Sequence, residues 1–176
     1  MRLSHALLVA LALVLAACAA PEPEPPFLEG AIELGSPLPP FELDSLDDGK
    51  FALAEAQGKV TLLEFWATWC VPCHKQAEIL APLYREIDPD QVQFLAIAIG
   101  EDESTVREFV SRKPFDYPVL LDPVEELAFE LGVVALPTLL IADAEGRVTY
   151  FRPGVMEADE IRDLLDEAVS GEIPAG

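Results

Sequence analysis

An apolar run, Val60-Thr61-Leu62-Leu63-Glu64-Phe65, leads without a break into Trp66-Ala67-Thr68-Trp69-Cys70-Val71-Pro72-Cys73. A short, nearly continuous apolar segment is the pattern of a strand covered on both faces. Beyond it, Ala77, Leu80, Leu83, Tyr84 and Ile87 recur on one stripe, so a helix is expected over about 71–87, with Pro82 kinking it. The cysteines therefore fall where strand becomes helix. Three residues apart in a first helical turn, they share one face and can close a small disulfide loop. Cys70, at the helix N-terminus, meets unpaired backbone N–H groups and the positive end of the helix dipole, which stabilise a thiolate and make it the attacking nucleophile. Cys73, one turn deeper, is the shielded resolving thiol that attacks Cys70 and releases the partner. Between them stand Val71 and Pro72, and the proline suits a first turn because an N–H there has no helical partner anyway.

A Cys-x-x-Cys step is also half of a zinc site. Zinc needs four ligands, and outside the N-terminal segment the chain offers Cys70, Cys73 and His74 with no second His or Cys cluster. The pair is read as redox chemistry, with the Cys70–Cys73 disulfide itself as the redox group and neither a metal nor another cofactor. His74 reads as a solvated helix residue, with a metal contact or tuning of Cys73 as the alternatives.

Around this motif strands and helices alternate, which places the chain in the α/β class. Segments 41–43 and 51–53 flank the turn signal Asp47-Asp48-Gly49 and suggest a hairpin. Residues 92–99 form a second buried strand, Val106, Phe109 and Val110 mark a helix, and 119–121 a short strand. For the helix after it, Asp122 is expected as N-cap, Pro123 at the first position and Glu125 at the third, with Gly132 ending it. Segments 138–142 and 148–151 form a hairpin about Ala144-Glu145-Gly146, and Ile161, Leu164, Leu165, Ala168 and Val169 repeat at helical spacing.

The N-terminus reads as an address. Arg2 precedes an apolar run over 6–17 with no acid, too short to cross a bilayer comfortably. The run ends Leu15-Ala16-Ala17-Cys18, which resembles the lipobox of bacterial lipoproteins and so implies that Cys18 is lipidated and anchors the chain. Pro21-Glu22-Pro23-Glu24-Pro25-Pro26 cannot form helix or central strand and suits a stiff spacer or a simple unstructured terminus. The organisation expected is a leader over 1–17, a linker over 18–33, one domain over 34–170 and a tail over 171–176. Three cysteines leave one over unless lipid takes Cys18, and a close pair outside the cytosol is free to cycle between dithiol and disulfide. A formal net charge of -21 argues against a nucleic-acid-binding surface and is otherwise a solubility feature.

Four elements in order, Leu34-Gly35-Ser36-Pro37-Leu38-Pro39-Pro40-Phe41, Gly58-Lys59-Val60, the Trp-Cys-x-Pro-Cys core and Leu136-Pro137-Thr138, resemble the thioredoxin superfamily. The likeness is to its extracytoplasmic, membrane-tethered thiol-disulfide oxidoreductases of the TlpA, ResA and CcmG type, and it spans about residues 34–169. It implies a thioredoxin fold, a central mixed β-sheet flanked by helices, with an N-terminal β-hairpin and an inserted strand and helix for which residues 92–121 leave room. It implies that Pro137 is a cis-proline beside the disulfide and that the Leu136 backbone pairs with an extended substrate segment. Trp69 then shields Cys70 and touches substrate, whereas Trp66 packs in the core and Thr68 is structural.

Glu64 interrupts the apolar strand at the position of the buried acid of thioredoxins. Buried, it would have a raised pKa and could shuttle a proton for Cys73; the alternative is a half-exposed glutamate at a strand edge. Many relatives carry an acid three residues after the second cysteine and a proline two further on, where this chain has Gln76 and Glu78.

The activity implied is reduction of protein disulfides by a monomer in the bacterial cell envelope, kept reduced by a membrane thiol protein, with cytochrome c maturation as a possible setting. Two alternatives differ in class. A copper metallochaperone would hold metal with Cys70 and Cys73, with only His74 and Met156 at hand for more ligands. A thiol peroxidase would need a lone peroxidatic cysteine in a proline and threonine setting, unlike Trp69-Cys70.

Overall fold

In the computed structural model, which describes residues 32–47 and 49–171, the chain runs β1 (Glu42–Ser45), β2 (Lys50–Ala52), β3 (Val60–Trp66), α1 (Val71–Glu86), β4 (Val92–Ile99), α2 (Glu103–Arg112), β5 (Val119–Asp122), α3 (Glu126–Glu130), β6 (Thr138–Ala142), β7 (Val148–Pro153) and α4 (Ala158–Ser170). The leader, Cys18, most of the proline and glutamate stretch and residues 172–176 lie outside the described residues. The strands form one sheet in the order β2-β1-β5-β4-β3-β6-β7. β3, β4 and β5 run parallel, while β6 and β7 on one side and β1 and β2 on the other are antiparallel. This is the expected mixed sheet, and α2 and β5 occupy the stretch left for the insert.

Alternation along the central strands divides the interior into two cores. On β3, Val60, Leu62 and Trp66 join Leu80 and Leu83 of α1, Ile161 and Leu165 of α4, and both cysteines. Leu63 and Phe65 face the other way, onto Leu127, Ala128 and Leu131 from α3 and its end. Because helices cover both faces, β3 is buried at all seven positions, which is why its sequence reads as continuous rather than alternating. Period two also assigns Glu64 to the face of Val60, Leu62 and Trp66, the cysteine side.

Two local expectations need correction. The helix after β5 begins at Glu126, with Glu125 in left-handed backbone (φ 59°) as its N-cap, not at Asp122. Asp122 belongs to β5, yet its buried carboxylate still accepts from the N–H groups of Glu126 (2.8 Å) and Ala128 (2.9 Å), so it satisfies the helix start from a strand end. In α1, which continues through Pro82 to Glu86, the buried positions are Cys73, Gln76, Leu80 and Leu83, and Ala77 is only half-buried. Gln76 can replace an apolar residue there because Met156, just before α4, saturates it: the Met156 N–H donates to Gln76 Oε1 (2.7 Å) and Gln76 Nε2 donates to the Met156 carbonyl (3.4 Å). Gln76→Ala should therefore lower the unfolding free energy by about 2 kcal/mol, the cost of leaving buried backbone groups without partners, as read from the urea midpoint.

Candidate active site

The site forms where β3 ends and α1 begins. Cys70 is the N-cap of α1, Val71 and Pro72 open its first turn, and Cys70 and Cys73 are joined by a disulfide with Sγ atoms 2.04 Å apart. The Cys73 N–H, which also donates to the Cys70 carbonyl (3.1 Å), points at Cys70 Sγ (3.2 Å), so a donor of the helix start already faces the sulfur that would carry the charge. Both cysteines are buried as the disulfide, at 3% and 1% exposure, while their neighbours Trp69 and Val71 stand 70% and 73% exposed. The rim that a partner meets is thus apolar, and the sulfurs lie just beneath it. Trp66 packs fully buried against Phe109 and Phe115, as expected of a core residue.

Glu64 is fully buried, which removes the edge-strand alternative. Tyr117 donates its phenol hydrogen to Glu64 Oε2 (2.6 Å), and Oε1 has no hydrogen-bond partner among the described residues. Loss of hydration raises the Glu64 pKa from its ordinary 4.5 to about 8, against the smaller opposing pull of the Tyr117 hydrogen bond. Burial, with the charge of Glu64 beside it, pushes the Tyr117 phenol well above its usual range, so it remains a donor. Tyr117 was not singled out in the sequence. The usable signal was indirect: a buried acid demands a donor, and a tyrosine just ahead of a buried strand is one that must itself find a partner.

The Leu136–Pro137 peptide bond is cis. Pro137 is buried, Leu136 is half-buried and packs against the core that holds the cysteines, and Leu136 and Trp69 together line a groove of about 250 Å³ that Gly100, Glu125 and Val134 complete. Of the expected substrate-side residues, Trp69 and Leu136 therefore share one rim.

The loop before Cys70 is held from both sides. Thr68 donates its backbone N–H to Glu101 Oε2 (2.6 Å) and its hydroxyl to Oε1. The His74 Nε2–H donates to the Thr68 carbonyl (2.9 Å), and its ring lies 4.9 Å from that of Phe109. His74 is accordingly half-buried rather than a solvated surface residue, because the loop carbonyl and an aromatic face give it partners. Glu101 is a second residue missed in the sequence, being 33 positions from the loop it clamps. Among the described residues no group of three or more His, Cys, Asp or Glu is placed to hold a metal ion. The arrangement suits exchange of a disulfide with an extended thiol-bearing segment, with a buried carboxyl on the cysteine side.

The redoxin family profile matches residues 33–167. The chain is 31% identical over 136 residues to the thiol-disulfide oxidoreductase ResA of Geobacillus thermodenitrificans, covering 77% of this chain and 78% of that protein. The exposed lipoprotein thioredoxin of Streptococcus pneumoniae is 30% identical and has a TM-score of 0.68, over 73% of this chain and 99% of that one. A DsbE-type thiol:disulfide interchange protein from Chlorobium tepidum, with a TM-score of 0.74 over 79% of this chain and 99% of its own, shares the fold at 24% identity.

Proposed function

The chain belongs to the redoxin family, within the thioredoxin superfamily, and is a thiol-disulfide oxidoreductase, and on that premise we propose that it reduces disulfides of protein substrates outside the cytoplasm while anchored through lipid on Cys18. Cys70 is the nucleophile, Cys73 the resolving thiol and Glu64 the proton acceptor. The main support is the Cys73 N–H aimed at Cys70 Sγ (3.2 Å) at the start of α1. In the dithiol form the Cys70 thiolate attacks one substrate sulfur, the substrate S–S bond breaks, and the departing sulfur takes a proton from water. Cys73 then gives its proton to Glu64 and attacks Cys70, which forms the Cys70–Cys73 disulfide and expels the second substrate sulfur, to which that proton can pass. Two electrons have moved to substrate, and a membrane thiol protein returns them.

The placement is supported by the leader pattern ending at Cys18 and by the exposed lipoprotein to which the chain is similar. Substrates of the right chemistry include apocytochrome c, whose haem-attachment cysteines must be thiols. The reduced protein should cleave a protein disulfide such as that of insulin in stoichiometric amount, and catalytically when a thiol donor is supplied. Tight copper binding without disulfide cleavage would instead favour metal delivery.

Trp69 and Leu136 shape the docking rim, with the Leu136 and Pro137 backbone alongside the substrate strand. Trp69→Ala should raise KM about tenfold, equivalent to about 1.4 kcal/mol of lost contact, with kcat and the melting temperature nearly unchanged because the indole is exposed in the free protein.

A further inference from the structure

Glu64 has two oxygens in different situations. Oε2 accepts from the Tyr117 phenol at 2.6 Å, and Oε1 is buried with no partner among the described residues. On an ionised carboxylate the oxygen already holding a hydrogen bond is the weaker base, and the bare one is where an incoming proton is stabilised most. The elements packed on this face of β3 bring few competing groups. α1 buries Cys73, Gln76, Leu80 and Leu83, α2 buries Val106, and α4 buries Ile161, Leu165 and Ala168. At the register positions of Glu64, β4 and β6 hold Ala96 and Leu139. Besides Glu64, the titratable side chains in or against this core are Cys70, Cys73, Tyr84, Tyr117 and Tyr150, of which Tyr117 is the one hydrogen-bonded to Glu64 among the described residues, and Asp116 acts on Tyr117 in turn. His74, Glu78, Arg85, Lys113 and Asp116 line the cavity of about 300 Å³ that Tyr117 also borders.

We propose that Tyr117 is a positioning residue for the resolving step: by donating to Oε2 it reserves Oε1 of Glu64 to take the proton from Cys73, and it sets the pH at which that step runs. The inference rests on the assignment of Glu64 as proton acceptor. In the step the Cys73 S–H bond breaks and the Glu64 Oε1–H bond forms. The Cys73 electron pair attacks Cys70 Sγ as the Cys70–substrate S–S bond breaks, the substrate sulfur leaves as a thiolate with that bond's electron pair, and the phenol keeps its own proton. Removing the phenol hydroxyl leaves the carboxylate with no donor, so a higher pH is needed to ionise it. The ring of Tyr117 also packs against Phe94 and Phe115, contacts that Tyr117→Phe retains.

The test is the pH dependence of substrate-thiol release from the mixed disulfide for the wild type, Tyr117→Phe, Glu64→Gln and the double variant. In parallel, the protonated-carboxyl infrared band of Glu64 is titrated in the oxidised wild type and Tyr117→Phe. Tyr117→Phe should move the low-pH limb and the infrared titration upward by about one pH unit, a roughly tenfold slower step on the limb. Glu64→Gln should abolish that limb, and the double variant should match Glu64→Gln. If Glu64→Gln leaves the wild-type profile intact, the Glu64 assignment fails. If Glu64→Gln abolishes the limb but Tyr117→Phe superposes on the wild type in both measurements, the role of Tyr117 is overturned. It is equally overturned if the Tyr117→Phe effect persists in the absence of Glu64, since the residue would then act through packing.

Discussion

Cys73→Ser, mixed in its reduced form with a disulfide-bearing protein, should accumulate a covalent one-to-one adduct through Cys70, visible by mass and released by dithiothreitol. Cys70→Ser should form no adduct and lose turnover by about a thousandfold or more. The asymmetry follows from α1. Cys70 is the N-cap, with the N–H of Cys73 aimed at its sulfur, whereas Cys73 lies within the first turn on the buried stripe with Gln76, Leu80 and Leu83. A thiolate is therefore stabilised at Cys70, and it lies next to Trp69 and Val71, the exposed residues a partner would meet. Removing Cys73 leaves the first exchange possible and removes the second. An adduct on Cys73 in the Cys70→Ser protein, with none in Cys73→Ser, would reverse the two roles.

In the oxidised protein, where the cysteines do not titrate, Glu64 should make stability fall as pH rises. Unfolded, it ionises near 4.5; folded, burial holds it neutral until about 8. Below 4.5 both states are protonated and the group contributes nothing to the pH slope. Between the two values the unfolded state binds fewer protons, so unfolding becomes easier with rising pH, and above about 8 the effect is complete. A displacement from 4.5 to about 8 corresponds to roughly 5 kcal/mol at about 1.4 kcal/mol per unit. Glu64→Gln removes the titration. The stability of the variant relative to the wild type should thus climb by several kcal/mol between pH 4.5 and 8, whatever fixed cost the buried amide brings. Parallel stability curves for the two proteins across that range would mean that Glu64 is ionised in the native state.

Much of the scaffold is legible in local pattern. The apolar run over 60–65 specifies a doubly covered strand, and period two along it already places Glu64 with Trp66 and the cysteines rather than with Leu63 and Phe65. Helical spacing found α4, and the motif at the strand end located the disulfide. The misreadings share a cause, which is partnership across long sequence separations. Asp122 looked like an N-cap because its carboxylate does cap α3, but from the end of a strand that pairs with both β4 and β1. The burial of Gln76 had no local sign, because Met156, 80 residues away, supplies its hydrogen bonds. Tyr117 and Glu101 carry no local signature, and each is defined by a group it meets, Glu64 in one case and Thr68 in the other.

Whether this pair works as a reductant is read most directly from its reduction potential. The full chain would be equilibrated with defined dithiol and disulfide ratios and the thiols of Cys70 and Cys73 trapped by alkylation. A value near that of thioredoxin, about -270 mV, is predicted for a protein that reduces disulfides and depends on a dedicated donor. A value near that of a strong periplasmic oxidant, about -120 mV, would contradict the account and make the protein a source of disulfides.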